Sequence, residues 1–480
     1  MCGIVGVVGL DPATPVIMDT LRRLEYRGYD SAGVATVAGG RIERRRAPGK
    51  LGNLADVLAY APLRGTTGIG HTRWATHGVP NETNAHPHAT SRVAVVHNGI
   101  IENHAELRAE LESEGQVFTT QTDTETVAQL LDLLLQQGHE PVEAARLALA
   151  RLHGAYALAM LFADDADLLI GARHGPPLAV GFGDGEMFVG SDALALAPLT
   201  NRIAYLEDGD WAVVSRNSAR FADADGRPVE RAIRRTALTG AAVGKGQFRH
   251  FMEKELHEHP AVLGDTLRRM VDPETRAVVL PELPFDLSSV QRITVSACGS
   301  AYYAGLVGRW WLETIAKIPT DADVASEYRY RNPPVGAGNL GLLVSQSGET
   351  ADTLAALRYL RGEGSPVLSV VNVPESSIAR ESDAVLGTVA GPEIGVASTK
   401  AFTAQLAVLA CFALAAGRAR GSLSAAQEAA ATAALLEVPG HAAAVLDHDQ
   451  HIRRLAYRIV EARDVLYLGR GACFPIAMEG

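Results

Sequence analysis

At 480 residues the chain is too long for one typical core, and at ~100 to 200 residues per domain it points to roughly three domains. Its 47% apolar and 21% charged content is that of a folding globular protein, while a net charge of -11 argues against a nucleic-acid partner and favours a small, locally bound substrate. The four cysteines, Cys2, Cys298, Cys411 and Cys473, have no CxxC spacing, which argues against a zinc ribbon or a disulfide framework and points to a reducing, cytoplasmic compartment.

The chain opens "MCGIVGVVG". Removal of Met1 would leave Cys2 as the first residue, with a thiol and a free amine together. Their reference pKa values, roughly 8.5 and 8, let the amine act as base for its own thiol. On these letters alone an accidental second-position cysteine is the favoured reading, and the rest of the sequence has to decide. The run Ile4 to Val8 is too short, and lacks the basic flank, for a signal peptide. Short strand-type runs then dominate the first half, among them "SAGVATV", "TTGIGHTRWAT", "RVAVVHNGII" and "YALAMLF". The basic "RIERRRAPGK" at 41–50 reads as part of a hairpin with a solvated face. Apolar residues at three and four spacing predict helices beginning at Asn103 and near Asp123. Packed sheets with helices outside are therefore expected. A polar, glycine-bearing stretch from about 222 to 250 marks a domain boundary.

Beyond it "RITVSACGSAYYAGLVGRWWLE", "GLLVSQSGETADTLAALRYLRG" and "PVLSVVNVPESSIARES" read as successive βα units of a parallel sheet. The apolar 401–417 falls short of ~20 apolar residues and reads as a buried helix, so no membrane partner is expected. An alanine-rich helical stretch follows at 423–446. "VLYLGRGACFPIAMEG" then matches "ITVSACGSAYYAGLVG", with Gly471 on Gly299, Ala472 on Ser300 and Phe474 on Tyr302. A second βα copy is expected to start there with an apolar strand, and its interruption at Gly480 reads as a truncated chain.

Five elements of the first half form one set: Cys2–Gly3, "RGYDSAG" at 27–33, "HTRWATHG" at 71–78, "HNGIIEN" at 97–103 and "TDTE" at 122–125. Over roughly the first 215 residues this set resembles the N-terminal-nucleophile (class II) glutamine amidotransferases. The resemblance implies an αββα sandwich whose mature chain starts at Cys2, the nucleophile that attacks the glutamine side-chain amide. It implies that the Asn98 amide and the Gly99 N–H form the oxyanion hole, where each donor is worth roughly 3 kcal/mol of barrier. Arg73 would clamp the α-carboxylate of glutamine and Asp123 its α-ammonium, with Trp74, Thr76 and His77 in a loop closing over the site. Asp123 could instead simply cap the following helix, and Trp74 could be core. His71, His77, His86, His88 and His97 lack the paired spacing of a zinc site, so no metal and no cofactor are expected.

In the second half, two strand-to-helix turns carry small and hydroxyl residues at helix N-termini, where phosphate binds readily; Ser345, Ser347 and Thr350 add donors. An N-capping serine is the simpler alternative for either turn. With "GVASTKAF" at 395–402 they resemble a sugar isomerase (SIS) domain. The order of the two halves, joined by "RHFMEKE" at 249–255, resembles the family of isomerising glutamine–fructose-6-phosphate aminotransferases. Ser300, Ser345, Gln346, Ser347 and Thr350 would then bind the sugar phosphate, and Val396 and Ser398 the sugar. Ammonia freed at Cys2 would pass through an internal channel gated by Trp74, to aminate fructose 6-phosphate and give glucosamine 6-phosphate. A homodimer is expected at full length. Ser300 stands where the family commonly has threonine, and Ala301 where some members have serine, which weakens the phosphate site without removing it. The family's imine-forming lysine, proton-transferring glutamate and ring-opening histidine would lie past Gly480. That leaves open a truncated chain retaining only glutamine hydrolysis or phosphosugar binding. Lys400, the one lysine in a sugar-side motif, is expected to support the fold. The boundaries implied are 2–220 for the amidotransferase, 221–282 for a linker, 283–425 for the first SIS domain, 426–455 for a helical connector and 456–480 for the start of a second SIS domain.

Overall fold

The computed structural model describes residues 2–25, 28, 30–74, 78–235 and 245–480. The chain divides into two units, residues 1–244 and 245–480, each with its own cores.

The opening strand, Gly3–Val8, shows how the first unit is built, because all six of its residues are buried. Val5 and Val7 join a core with the helices Ala13–Leu24 and Leu51–Tyr60, whereas Ile4 and Val8 join a core shared with a second sheet. Gly6 lets the two sheets close, since a Cβ there would lie 2.8 Å from Leu169 Cδ2. The strand pairs antiparallel with Met187–Gly190 and Thr67–Arg73 inside an eight-stranded sheet. The second sheet has seven strands, with Val93–Ile101, Gly154–Phe162 and Asp165–His174 near its middle. Its outer face packs on the helices His104–Ser113, Thr124–Gln136 and Pro141–Leu149 through Leu111, Leu130 and Ala144. The order helix, sheet, sheet, helix is the αββα sandwich expected.

The hairpin of Ser31–Ala38 and Arg41–Pro48 turns at Gly39 and Gly40, both at positive φ (58° and 71°), as a two-residue turn requires. Its basic run is not simply a solvated face. Arg46 donates to the carbonyls of Thr83 (2.9 Å) and Ala85 (2.8 Å), and Arg44 to that of Pro87 (3.2 Å). Alternate strand residues share a face, and here a loop forty positions away covers it. Burial lowers the Arg46 guanidinium to about 10.

The second unit centres on five parallel strands. They lie in the spatial order Thr320–Val324, Arg292–Ala297, Asn339–Ser345, Val367–Val371, Ala384–Gly387. In chain order that is second, first, third, fourth, fifth, so the topology reverses between Arg292–Ala297 and Asn339–Ser345. A crevice at the carboxyl ends of two such strands is where open α/β sheets bind ligands. Lys400–Ala419 is the buried core helix expected, and Ala425–Leu446 begins with a capping box between Ser424 and Gln427. Both are long and apolar enough to cross a membrane. The second lays Ala431, Leu435, Val438 and Ala442 on the core, a stripe at helical spacing.

Two expectations change here. The stretch 221–282, expected to link domains, contains the helix Phe251–Met270, whose Leu263, Leu267 and Met270 enter the second unit's core. The segment Val465–Leu468, expected as a strand, forms none and is exposed, with Leu466 and Leu468 at 81% and 85%. A strand is held by hydrogen bonds to neighbours, and this segment pairs with none of the strands present.

Candidate active site

Cys2 lies at the mouth of the opening strand, and three neighbouring segments hold it. Ser191 takes the Ile4 N–H on its hydroxyl (2.9 Å) and returns its own N–H to the Ile4 carbonyl (3.1 Å), anchoring the strand's start. The Trp74 N–H donates to Cys2 Sγ at 3.2 Å. The Asn98 amide Nδ2 donates to the Cys2 carbonyl at 3.0 Å. Burial raises the thiol above its ordinary value, against the lowering effect of the Trp74 N–H. A buried thiol of this kind needs a base close by to become a nucleophile.

Asn98 and Gly99 lie in strand Val93–Ile101, directly across from Ala157 and Tyr156. Gly99 has φ +123°, and a Cβ on it would meet the Ala155 carbonyl oxygen at 1.9 Å. Only glycine can therefore present this peptide. Arg73 ends strand Thr67–Arg73 and is 4% exposed. Burial lowers its guanidinium, and Asp30, Cys2 and Asp123 oppose that by attraction. Gly28 of "RGYDSAG" comes so close that a Cβ would lie 2.6 Å from the Arg73 carbonyl carbon, which accounts for the glycine.

Asp123 makes no side-chain capping bond to the helix it precedes. Its Oδ2 accepts the Ile101 N–H at 2.9 Å, which carries the carboxylate toward the strand of Asn98 and Gly99. The flanking threonines of "TDTE" engage the histidines: Thr122 meets His88 Nε2 at 3.0 Å, and Thr124 meets His86 Nε2 at 3.2 Å and His97 Nδ1 at 3.0 Å. These histidines thus form a buried hydrogen-bonded layer under the site. Trp74 is 47% exposed, so the core reading does not hold for it. Thr76 and His77 lie outside the described residues.

In the second unit the two expected phosphate loops follow the adjacent strands Arg292–Ala297 and Asn339–Ser345, one on each side of the topological reversal. Ser300 is the second residue of the helix Gly299–Trp311, and its hydroxyl donates to Glu479 Oε1 at 2.5 Å. In the other loop Ser345 Oγ accepts the Gly348 N–H (3.0 Å) and meets Thr350 Oγ1 (3.2 Å), and Ser347 Oγ accepts the Glu349 N–H (3.2 Å). Gln346 gives its carbonyl to the Asn372 N–H at 3.3 Å. Thr350 stands at the N-cap of Ala351–Gly362 without a side-chain capping bond. The third loop follows Ala384–Gly387; there Val396 is 78% exposed, and Ser398 donates to Glu393 Oε2 at 2.9 Å. Lys400 is paired with Glu258 at 2.6 Å.

The sequence reading passed over several residues that organise these loops. Asn372 joins two of them: its N–H donates to the Gln346 carbonyl of the second loop, while its Nδ2 donates to the Gly391 carbonyl (2.7 Å) and its Oδ1 accepts from Thr388 and Ala390 in the third. Glu255 accepts the N–H groups of Ile394 and Gly395. A polar residue at a strand's carboxyl end was the one available signal for Asn372. Ser191, Glu255 and Glu479 had none, because their partners are distant in sequence.

A glutamine amidotransferase family profile matches residues 71–198, and a SIS domain profile matches residues 286–415. With the fold, these define the class: a glutamine amidotransferase joined to a sugar isomerase domain. Two curated relatives named glutamine–fructose-6-phosphate aminotransferase (isomerizing) are similar along the whole chain. That of Gluconobacter oxydans is 59% identical and that of Bradyrhizobium diazoefficiens 60%, each over 100% of this chain and 79% of the relative. A solved C-terminal domain of glucosamine-fructose-6-phosphate aminotransferase from Francisella tularensis is 37% identical, with a TM-score of 0.48, over 49% of this chain and 66% of that one. The chain belongs to the family of isomerising glutamine–fructose-6-phosphate aminotransferases.

Proposed function

We propose that this chain takes the amide nitrogen of glutamine at Cys2 for transfer to fructose 6-phosphate, which is isomerised to glucosamine 6-phosphate. One observation supports the glutamine half: Asn98 binds the Cys2 carbonyl, Arg73 lies within electrostatic reach of both Cys2 and Asp123, and Asp123 is tied to Ile101 on the strand of Asn98 and Gly99. With Met1 removed, the Cys2 α-amine takes the thiol proton, and Sγ attacks the amide carbon. Negative charge grows on the amide oxygen and is met by Asn98 Nδ2 and the Gly99 N–H. The carbon–nitrogen bond then breaks, the amine returns its proton to the departing ammonia, and water hydrolyses the thioester to glutamate. Arg73 binds the α-carboxylate, Asp123 the α-ammonium, and Trp74, Thr76 and His77 close the glutamine side.

Ser300, Ser345, Gln346, Ser347 and Thr350 hold the sugar phosphate at the two loops flanking the topological reversal, and Val396 and Ser398 meet the sugar. All four cysteines are free, in keeping with a reducing cytoplasm, and a homodimer belongs to the same reading. The test pairs intact mass with glutamate release. The active protein should lack Met1, and Cys2→Ala should reduce glutamate release to background without changing the circular dichroism spectrum. Glutamine hydrolysis by protein that retains Met1 would overturn the assignment. For the sugar half, calorimetric titration with fructose 6-phosphate should show binding that Ser347→Ala weakens.

A further inference from the structure

His71 lies in strand Thr67–Arg73, across from Ile4 on one side and Gly33 on the other, and is fully buried. Its Nε2 stands 3.0 Å from the His97 carbonyl oxygen and 3.0 Å from Asn98 Oδ1. A backbone carbonyl only accepts, so Nε2 must carry the hydrogen. Its Nδ1 is buried with no hydrogen-bond partner among the described residues, which suits the ring nitrogen without a proton. On the far side of the Asn98 amide, Nδ2 meets a second fixed acceptor, the Cys2 carbonyl, at 3.0 Å. Two backbone carbonyls thereby settle which way the amide faces. The reversed amide would set its oxygen against the Cys2 carbonyl and its NH2 against the imidazole N–H.

We propose that His71 is a positioning residue for glutamine hydrolysis: its Nε2–H holds Asn98 Oδ1, so that Asn98 turns an N–H rather than an oxygen toward the amide carbonyl attacked by Cys2. The inference rests on the reading of Asn98 as an oxyanion donor and adds the group that gives that donor its direction. Without the imidazole hydrogen, the amide can rotate and present a lone pair to a developing negative charge, turning stabilisation into repulsion. Burial serves the same end. It holds His71 down to about 3, so the ring remains neutral in a single tautomer at working pH. His86, 4.3 Å away between ring centroids, is likewise held well below its ordinary value by burial, so no neighbouring imidazolium competes.

The test measures glutamate release by the full chain carrying His71→Met, His71→Gln, Asn98→Ala, or His71→Met with Asn98→Ala. Loss of one oxyanion donor costs about 100- to 1,000-fold in kcat. Asn98→Ala should fall in that range with a nearly unchanged glutamine KM. His71→Met, similar in bulk but without a donor, should lose roughly 10- to 100-fold in kcat at unchanged KM, and the double variant should be no worse than Asn98→Ala, because both changes remove one interaction. His71→Gln, whose amide nitrogen can reach the Nε2 position, should recover to within about fivefold of the parent. Parental kcat in Asn98→Ala would remove the underlying reading of the site. A large Asn98→Ala loss beside a folded, fully active His71→Met, or losses that multiply in the double variant, would overturn the His71 proposal alone. Should His71→Met not fold, His71→Gln decides: a folded protein with a deep loss in kcat overturns the proposal.

Discussion

Asp123 is the residue whose two readings a single substitution separates. Its carboxylate is buried and accepts the Ile101 N–H, and it caps nothing. Asp123→Asn keeps an oxygen for Ile101 and removes the charge, so stability should hold while the glutamine KM rises at least tenfold, an ammonium having lost its counter-charge, worth about 1.5–3 kcal/mol. A fall in melting temperature with unaltered kinetics would return the residue to a structural role. From sequence, Cys2, Arg73, Asn98, Gly99 and Asp123 could be singled out because each sits in a motif shared with the amidotransferase family. His71 was visible only as one of several histidines inviting a metal, since nothing in "TGIGHTR" says that its ring meets an amide 27 positions on. That contact exists because two sheets pack face to face.

Among the elements, strand Val93–Ile101 carries Asn98 and Gly99, the oxyanion donors proposed above, and Gly99 is the tightest point of its pairing with Gly154–Phe162. Gly99→Ala must displace the Ala155 carbonyl from 1.9 Å and hold alanine at a φ of +123°. The expected result is at least ~2 kcal/mol of lost stability together with loss of glutamate release; an alanine variant of parental stability and kcat would contradict the geometry. In the second unit, helix Phe251–Met270 is strapped to the sugar-side loop by Glu255 and by the Glu258–Lys400 pair. Lys400 is 3% exposed but Glu258 only partly buried, so Lys400→Met should cost about 1–3 kcal/mol, less than the full penalty of breaking a buried pair. Thermal melts of the variant check this. The strand and helix rhythm of these elements was legible because periodicity is local. The outcomes at Arg44, Arg46 and Val465–Leu468 were not, because whether a basic strand face is covered, or an apolar run paired, depends on segments distant in sequence.

For the molecule as a whole, a layer of buried histidines sets the first unit's response to acid. In the first unit His71 is held down to about 3, and His86 and His88 well below their ordinary value, all chiefly by burial. Below pH ~6.5 each binds a proton in the unfolded chain and not in the folded one. Their contribution is therefore complete above that pH and declines as pH falls toward their depressed folded values. Each such histidine gives a slope of about 1.4 kcal/mol per pH unit, so three approach ~4 kcal/mol per unit. A unit of ordinary stability, ~5–15 kcal/mol, should then unfold within a few pH units below neutrality. In the second unit burial raises Glu255, so its protonated form is favoured in the fold and acid does not weaken it there. Hydrogen–deuterium exchange from pH 7 down to pH 4 should consequently show peptides covering 67–73 and 86–101 losing protection before those covering 292–297, 339–345 and 367–371. Simultaneous loss, or earlier loss in the second unit, would mean that the histidine layer does not govern the acid stability of the first.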